Sequence, residues 1–335
     1  PRPALPSSKK ATSNKIGLGV IGAGLFAKGV LIPAFMKTGQ FDLINIASAR
    51  GLSAVALKDK YNGQSATSDP DDILNDDAID AVVVATRHDS HAEYVIAALK
   101  KNKHVFVEKP LCLNREELSE ITEAANTSEG ILTVGFNRRF SPCLNDLIEH
   151  FKGRSEPLSM SYRVNAGRIP LDGPNGWLHD PDKGGGRIIG EACHFIDTLQ
   201  AITGASPTQV SAHTVNPNQA TLAGNDIVTI IIQFDDGSLG TVHYWSNGDA
   251  SAPKERLEVF GTGRIAVLDN FRRLDLSANG RTKTFKSRNQ RKGFPEEAAA
   301  FIKGCRSGKA PIPIDSLIDT TLVTFLATED ISSPE

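Results

Sequence analysis

Two short stretches of this 335-residue chain hold residues whose types and spacing suit chemistry. The first is Gly22-Ala23-Gly24-Leu25-Phe26-Ala27, which follows the apolar run KIGLGVI and opens the helical pattern LFAKGVLIPAFMKT. Gly22 permits a tight turn, Gly24 lets a phosphate reach the backbone, and Ala27 lets the helix pack close to the strand. A helix starting there turns free N–H groups and the positive end of its dipole toward an anion. Gly22 to Ala27, with Leu25 and Phe26 between, therefore read as a dinucleotide-binding loop; a glycine-rich turn in an unrelated α/β protein is the alternative for so short a pattern. The second stretch is Val107-Glu108-Lys109-Pro110, at the end of the apolar run HVFVE. A carboxylate and an ammonium at the C-terminal edge of a doubly wound sheet stand where ligands bind. Pro110 fixes its own φ and biases Lys109 toward an extended conformation, which aims the lysine.

The surrounding pattern supplies that sheet. From Lys15 to about Gly135, short apolar strands (KIGLGVI, FDLINIA, AIDAVVVAT, HVFVE, GILTVGF) alternate with amphipathic helices. Such alternation predicts βαβ units and a parallel sheet, and strands apolar at consecutive positions predict cover on both faces. Asn114 and Glu117 resemble a capping box at the fourth helix. After Asn137 the texture changes. PLSMSYRVNAG, TQVSAHTV, IVTIIIQFDD and SLGTVHYWS read as longer strands of a largely antiparallel sheet, with Asp236-Gly237 as a hairpin turn. From Pro295 the chain reads as helical. The expected fold is α/β: a leader over 1–14, a Rossmann doubly wound domain over 15–138, and a C-terminal α+β domain with a large, mostly antiparallel open sheet over 139–335.

The residue closing the second strand bears on cofactor choice. About 20 residues past the glycine pattern, an acid would bind a ribose hydroxyl; here Ser48-Ala49-Arg50 carries none. Ser48 with Arg50 can accept a 2′-phosphate, which favours NADP over NAD, while Arg50 reads nearly as well as a solvated loop charge. A net charge of −2 argues against nucleic acid, and the apolar stretch Ile16–Ala27 is too short to span a bilayer. Cys112, Cys143, Cys193 and Cys305 are scattered without metal-ligand spacing, so no metal, no disulfide framework and a reducing cytoplasm are expected. The Pro-, Ser- and Lys-rich leader reads as a linker, or as a trimmed terminus.

Taken together, GAGLFA at 22–27, THR at 86–88, EKP at 108–110, GFNRRFSP at 135–142 and GGGRIIGEACHFID at 184–197 resemble the Gfo/Idh/MocA oxidoreductases. The resemblance runs over nearly the whole chain from Lys15. It implies that Gly22, Gly24 and Ala27 hold a pyrophosphate and that Thr86, His88 and His91 line the cofactor side. It implies further that Glu108 contacts the nicotinamide ribose, that Lys109 is the catalytic lysine, and that His194 transfers a proton. Asn137 and Arg138 fall toward the nicotinamide end, with Arg139 equally readable as structural. Tyr162, Arg163, Asn165 and Trp177 lie in stretches that would face the cofactor; Arg163 pairs a substrate anion or makes an ion pair within the sheet. Many relatives carry an Asp four residues before the histidine, where this chain has Gly190. Glu191 and Asp197 lie three residues to either side of His194 and are the candidates to orient it. The implied reaction is hydride transfer between NAD(P) and a hydroxyl-bearing carbon of a sugar, inositol or sugar-derived substrate, by a homo-oligomer. A cofactor-binding module without turnover of its own, and an enzyme that recycles tightly bound NAD(H), are the rival readings. The wording GFNRRF…YRVNAG…GEACHFID also resembles a subgroup fused behind a zinc-alcohol-dehydrogenase-like domain.

Overall fold

The computed structural model describes residues 8–11, 14–49, 51–215 and 226–332, so Arg50 lies outside the described residues. The chain divides into two compact units. One runs to Cys112, resumes over Glu116–Gly135 and takes back Phe294–Ile314; the other holds Leu113–Arg115, Phe136–Gly293 and the chain from Asp315.

The first unit opens with β1 (Ile16–Ile21), buried along its whole length. A π-helical turn at Ala27–Leu31 runs straight into α1 (Ile32–Lys37). Then come β2 (Phe41–Ala47), α2 (Leu52–Tyr61), β3 (Ser65–Thr67), α3 (Asp71–Leu74), β4 (Ala81–Val84), α4 (His91–Lys100), β5 (His104–Val107), α5 (Arg115–Thr127) and β6 (Leu132–Val134). The six strands lie in the order β3-β2-β1-β4-β5-β6 and every neighbouring pair is parallel. Growth of the sheet reverses between β1 and β4, which is the switch point where open α/β sheets bind ligands.

The second unit is built from α6 (Pro142–His150), β7 (Ser159–Asn165), a π-helical turn at Ile188–Ala192 and α7 (Cys193–Thr203). These are followed by β8 (Pro207–Thr214), β9 (Ile227–Phe234), β10 (Leu239–Trp245), β11 (Glu255–Gly261), β12 (Arg264–Asp269), β13 (Arg273–Ala278) and β14 (Arg281–Lys286). The eight strands lie in the order β14-β13-β12-β11-β7-β10-β9-β8. Only β7 and β10 pair in parallel; the rest of the sheet is antiparallel. Along the central strands β7 and β10, residues alternate between a buried and an outward face. Met160, Tyr162 and Val164 join Phe195 and Leu199 of α7 in one core. The hairpin at Asp236-Gly237 forms as its sequence dictates, with Gly237 at φ +81°.

The last two helices are α8 (Phe294–Ser307), which belongs with the first unit, and α9 (Ile314–Ser332), nearly all of which belongs with the second. In α8, Phe301 closes an aromatic cluster with Phe35, Phe41 and Phe106 at centroid distances of 5.8, 6.5 and 5.7 Å. Among the described residues no helix is long and apolar enough to cross a membrane. Because Phe301 is fully buried, Phe301→Ala should cost about 3–5 kcal/mol of stability in urea denaturation followed by circular dichroism. A loss below about 1 kcal/mol would mean that α8 does not complete this core.

Candidate active site

The phosphate loop is shaped by lack of space on one side and open space on the other. Gly22 sits at φ +104°, and a Cβ there would lie 2.3 Å from the Ala85 carbonyl oxygen. No other residue fits. A Cβ on Gly24 would meet nothing within 4 Å, so the protein leaves the approach to this backbone clear. Ala27 is buried against the strand, whereas Leu25 is 92% exposed and the Phe26 ring meets that of Phe294 at a tilt, with centroids 5.8 Å apart. A turn without side chains at the sheet's switch point suits a pyrophosphate. After β2, the Ser53 hydroxyl donates to Ser48 Oγ at 3.1 Å, and Ser48 is followed by no carboxylate before Gly51.

His91 ties together the ends of β4 and β5. It is completely buried at the start of α4, with Nδ1 2.7 Å from the Pro110 carbonyl oxygen and Nε2 3.4 Å from that of Thr86. Burial pushes its pKa down to about 4, helped by the charge on Lys109. A neutral ring has one N–H, and the shorter contact assigns it to Nδ1, donating to Pro110. Lys109 is thus held from both sides: its neighbour Pro110 by His91, and its neighbour Glu108 by a backbone N–H donated to Val84 O at 2.9 Å. The Thr86 hydroxyl accepts from Ser90 Oγ at 2.8 Å, and His88 is buried with its ring 5.7 Å from that of His91. Glu108 is buried, and a Cβ on Gly135 would come 2.9 Å from its Oε1, so that glycine makes room for the carboxyl. Burial pushes the Glu108 carboxyl up to about 7, with Lys109 opposing the rise.

In the second unit His194 is buried on α7, edge-on to Phe136 with ring centroids 6.0 Å apart. The two acidic candidates to orient it each have further partners. Asp197 accepts from Arg139 Nη2 at 2.7 Å and Nε at 3.0 Å, and Arg139 also donates to Ser316 Oγ at 3.0 Å. Glu191 accepts from Tyr244 Oη and Lys254 Nζ, both at 2.6 Å, and from Arg187 Nη2 at 2.9 Å. The π-helical turn over Ile188–Ala192 also removes the α-helical spacing on which a same-face argument for Glu191 rests. Asn137 donates to Lys292 O at 2.7 Å. Arg138 forms a bidentate pair with Glu255, at 2.7 and 2.9 Å, which Tyr162 and Lys292 join at 2.8 Å each. That pairing holds the Glu255 carboxylate at about 2 despite its burial.

Arg163 and Asn165 take the outward face of β7, because side chains alternate along a strand and Tyr162 and Val164 point into the core. Asn165 donates to Asp249 O at 2.7 Å, and Arg163 Nη1 lies 3.4 Å from Pro253 O. Trp177 sits half-buried in the 3₁₀ turn Gly176–His179. The sequence reading passed over Arg187, Tyr244, Lys254, Glu255 and Lys292, which the fold gathers around Glu191 and Arg138. The Arg187–Glu191 spacing of four residues was the one available signal. Among the described residues no group of His, Cys, Asp and Glu side chains could hold a metal ion.

Residues 16–136 match the family described as an oxidoreductase family with an NAD-binding Rossmann fold, and residues 156–266 match the GFO/IDH/MocA C-terminal domain. The chain is 29% identical over 265 residues to the myo-inositol 2-dehydrogenase of Thermotoga maritima, covering 76% of this chain and 78% of that protein. It is 29% identical over 308 residues to the scyllo-inositol 2-dehydrogenase (NAD(+)) of Bacillus subtilis, covering 83% and 85%. Among solved structures it is similar to a probable dehydrogenase from Thermotoga maritima, at 26% identity and a TM-score of 0.79 over 95% of this chain and 97% of that one.

A carboxyl that titrates near 7 when folded and near its ordinary 4.5 when unfolded favours the fold at low pH. The folded state keeps its proton longer, so stability is lost as pH rises from about 4.5 to about 7 and is level above that. Glu108→Gln removes this dependence. In urea denaturation the variant should gain on the wild type between pH 5 and pH 8, by up to roughly 3 kcal/mol. A difference that does not change with pH would show that the carboxyl titrates normally.

Proposed function

The chain belongs to the Gfo/Idh/MocA oxidoreductase family, and from that premise we propose that it oxidises a hydroxyl-bearing carbon of a sugar, inositol or sugar-derived substrate, reversibly, with Lys109 and His194 as its catalytic residues. The observation that carries this reading is the strand-end turn in which His91 and buried Glu108 fix the backbone on either side of Lys109. So much buried structure spent on aiming one lysine suits a catalytic group better than a surface charge.

The loop from Gly22 to Ala27 and the Glu108 turn are the parts of this chain that would hold the dinucleotide. When bound, the nicotinamide supplies the hydride acceptor or donor. Lys109 places positive charge beside the substrate oxygen and stabilises it as it becomes an alkoxide. His194 takes the hydroxyl proton in oxidation and returns it in reduction. The names of the two inositol dehydrogenases support a cyclic polyol or a sugar as the substrate class. Ser48, without a neighbouring acid, supports NADP over NAD. Copies of the chain would meet through the outward face of the eight-stranded sheet, where Leu239, Trp245, Phe260 and Ile265 are all more than a third exposed.

Fluorescence titration with NADH and NADPH in parallel should show saturable binding, tighter for NADPH. Tighter NADH binding reverses the cofactor preference, and binding of neither removes the oxidoreductase reading. Lys109→Ala should lower kcat on a polyol substrate by a factor of about 10²–10⁴ while the cofactor titration stays close to wild type. Unchanged turnover in that variant would take the catalytic role from Lys109.

A further inference from the structure

A polar cluster in the second unit lies two turns before His194 in the chain. At its centre Arg187 has a side chain only 3% exposed. Its Nη2 donates to Glu191, and its guanidinium carbon stands 5.2 Å from the centre of the Tyr244 ring. Its Nε–H and both N–H groups of Nη1 have no acceptor among the described residues. Lys254 reaches Glu191 from a side chain 38% exposed, so the cluster opens to solvent there. Asp226 shares the field of Arg187, yet no hydrogen bond reaches its Oδ1, from which His179 Nδ1 stands 3.6 Å away. The cluster is electrostatically continuous with the neighbouring network: Glu191 acts on Arg138, and Lys254 acts on Lys292.

Charge does not balance in this region. Arg138, Arg187, Lys254 and Lys292 face Glu191, Glu255 and Asp226, and burial pushes the Asp226 carboxyl up toward its neutral form. A buried guanidinium with idle donors and a local excess of positive charge is costly in a protein interior unless an anion completes it. A planar guanidinium suits a planar carboxylate.

We infer that Arg187 and Lys254 bind the carboxylate of an acidic sugar, so that the substrate class is a uronate-type polyhydroxy acid and not a neutral polyol. This rests on the function proposed above for the hydroxyl-bearing end of the same substrate. It also moves the anion contact away from Arg163, which faces outward.

Binding and turnover test the two readings separately. The full chain, saturated with reduced cofactor, is titrated calorimetrically with glucuronate, galacturonate and mannuronate, and with glucose, galactose and mannose. At least one uronate should bind tenfold or more tightly than its neutral counterpart. Arg187→Met and Lys254→Met should each cut that ratio at least tenfold; the Lys254 variant, at a half-exposed position, keeps the test open if Arg187→Met does not fold. A uronate preference below threefold overturns the inference. So does a ratio unchanged in the variants, or binding of glucose 6-phosphate more tightly than every uronate. Uronate binding without cofactor-dependent oxidation would count against the proposed reaction and leave the anion site standing. Oxidation of neutral polyols without uronate preference would do the reverse.

Discussion

At the switch point of the parallel sheet, β1 and β4 leave so little space between their ends that only a backbone fits. Ala85 donates to the Ile21 carbonyl at 2.8 Å and Gly22 to that of Ala47 at 2.9 Å, so the turn after β1 is pinned to strands on both sides. The Gly22 Cα hydrogen then lies where any side chain would strike the Ala85 carbonyl. The chain after β1 must turn away, and the clear approach at Gly24 follows. The chain after β4 is constrained by the same contact: Thr86 leads through a 3₁₀ turn to His91, whose ring spans to Pro110. The phosphate loop and the lysine turn are therefore two results of one packing constraint.

The second unit is organised by buried charge. Glu255 is almost inaccessible and holds Arg138, Lys292 and Tyr162 at once. Such an arrangement adds little net stability compared with an apolar core of the same volume, but removing one partner alone is costly. Its effect is geometric. It fixes the turn Asn137–Phe140 against β7 and β11, and Phe136 at the head of that turn meets the ring of His194. The Arg139–Asp197 pair adds a second tie from the same turn to α7.

Much of this was legible in the amino-acid order. The strands of the first sheet are apolar at consecutive positions because both faces are covered, and that pattern is visible without coordinates. The glycine loop and the Glu108-Lys109-Pro110 turn declare themselves because their chemistry is local. The strands β11 to β14 went unassigned: their alternation is diluted by outward charges such as Arg256, Glu258, Arg273 and Asp275, which pair with each other on the exposed face. The return of α8 to the first unit was equally hidden, since periodicity gives a helix its face but not its destination. Side-chain roles were least legible where a neighbour distant in sequence decides them. The partners that hold Arg138, Asp197 and Glu191, namely Glu255, Arg139 and Lys254, are not marked by any local spacing.

The single parallel pair in the large sheet has a bearing on how this chain is made. β7 lies at the centre of the sheet, yet its two partners are β10 and β11: Ser159 faces Leu239 and Val164 faces Glu255. A ribosome delivers β7 well before either partner exists. During that interval a strand with apolar residues at every second position has unpaired amides on both edges, which is the state in which chains associate wrongly. Central pairings this remote in sequence also close slowly, because the intervening loop must be ordered first. The second unit thus completes its sheet late, its neighbouring-strand pairs β8-β9-β10 and β11-β12-β13-β14 closing before the central pairings of β7, while the first can close most of its local βαβ units as they emerge.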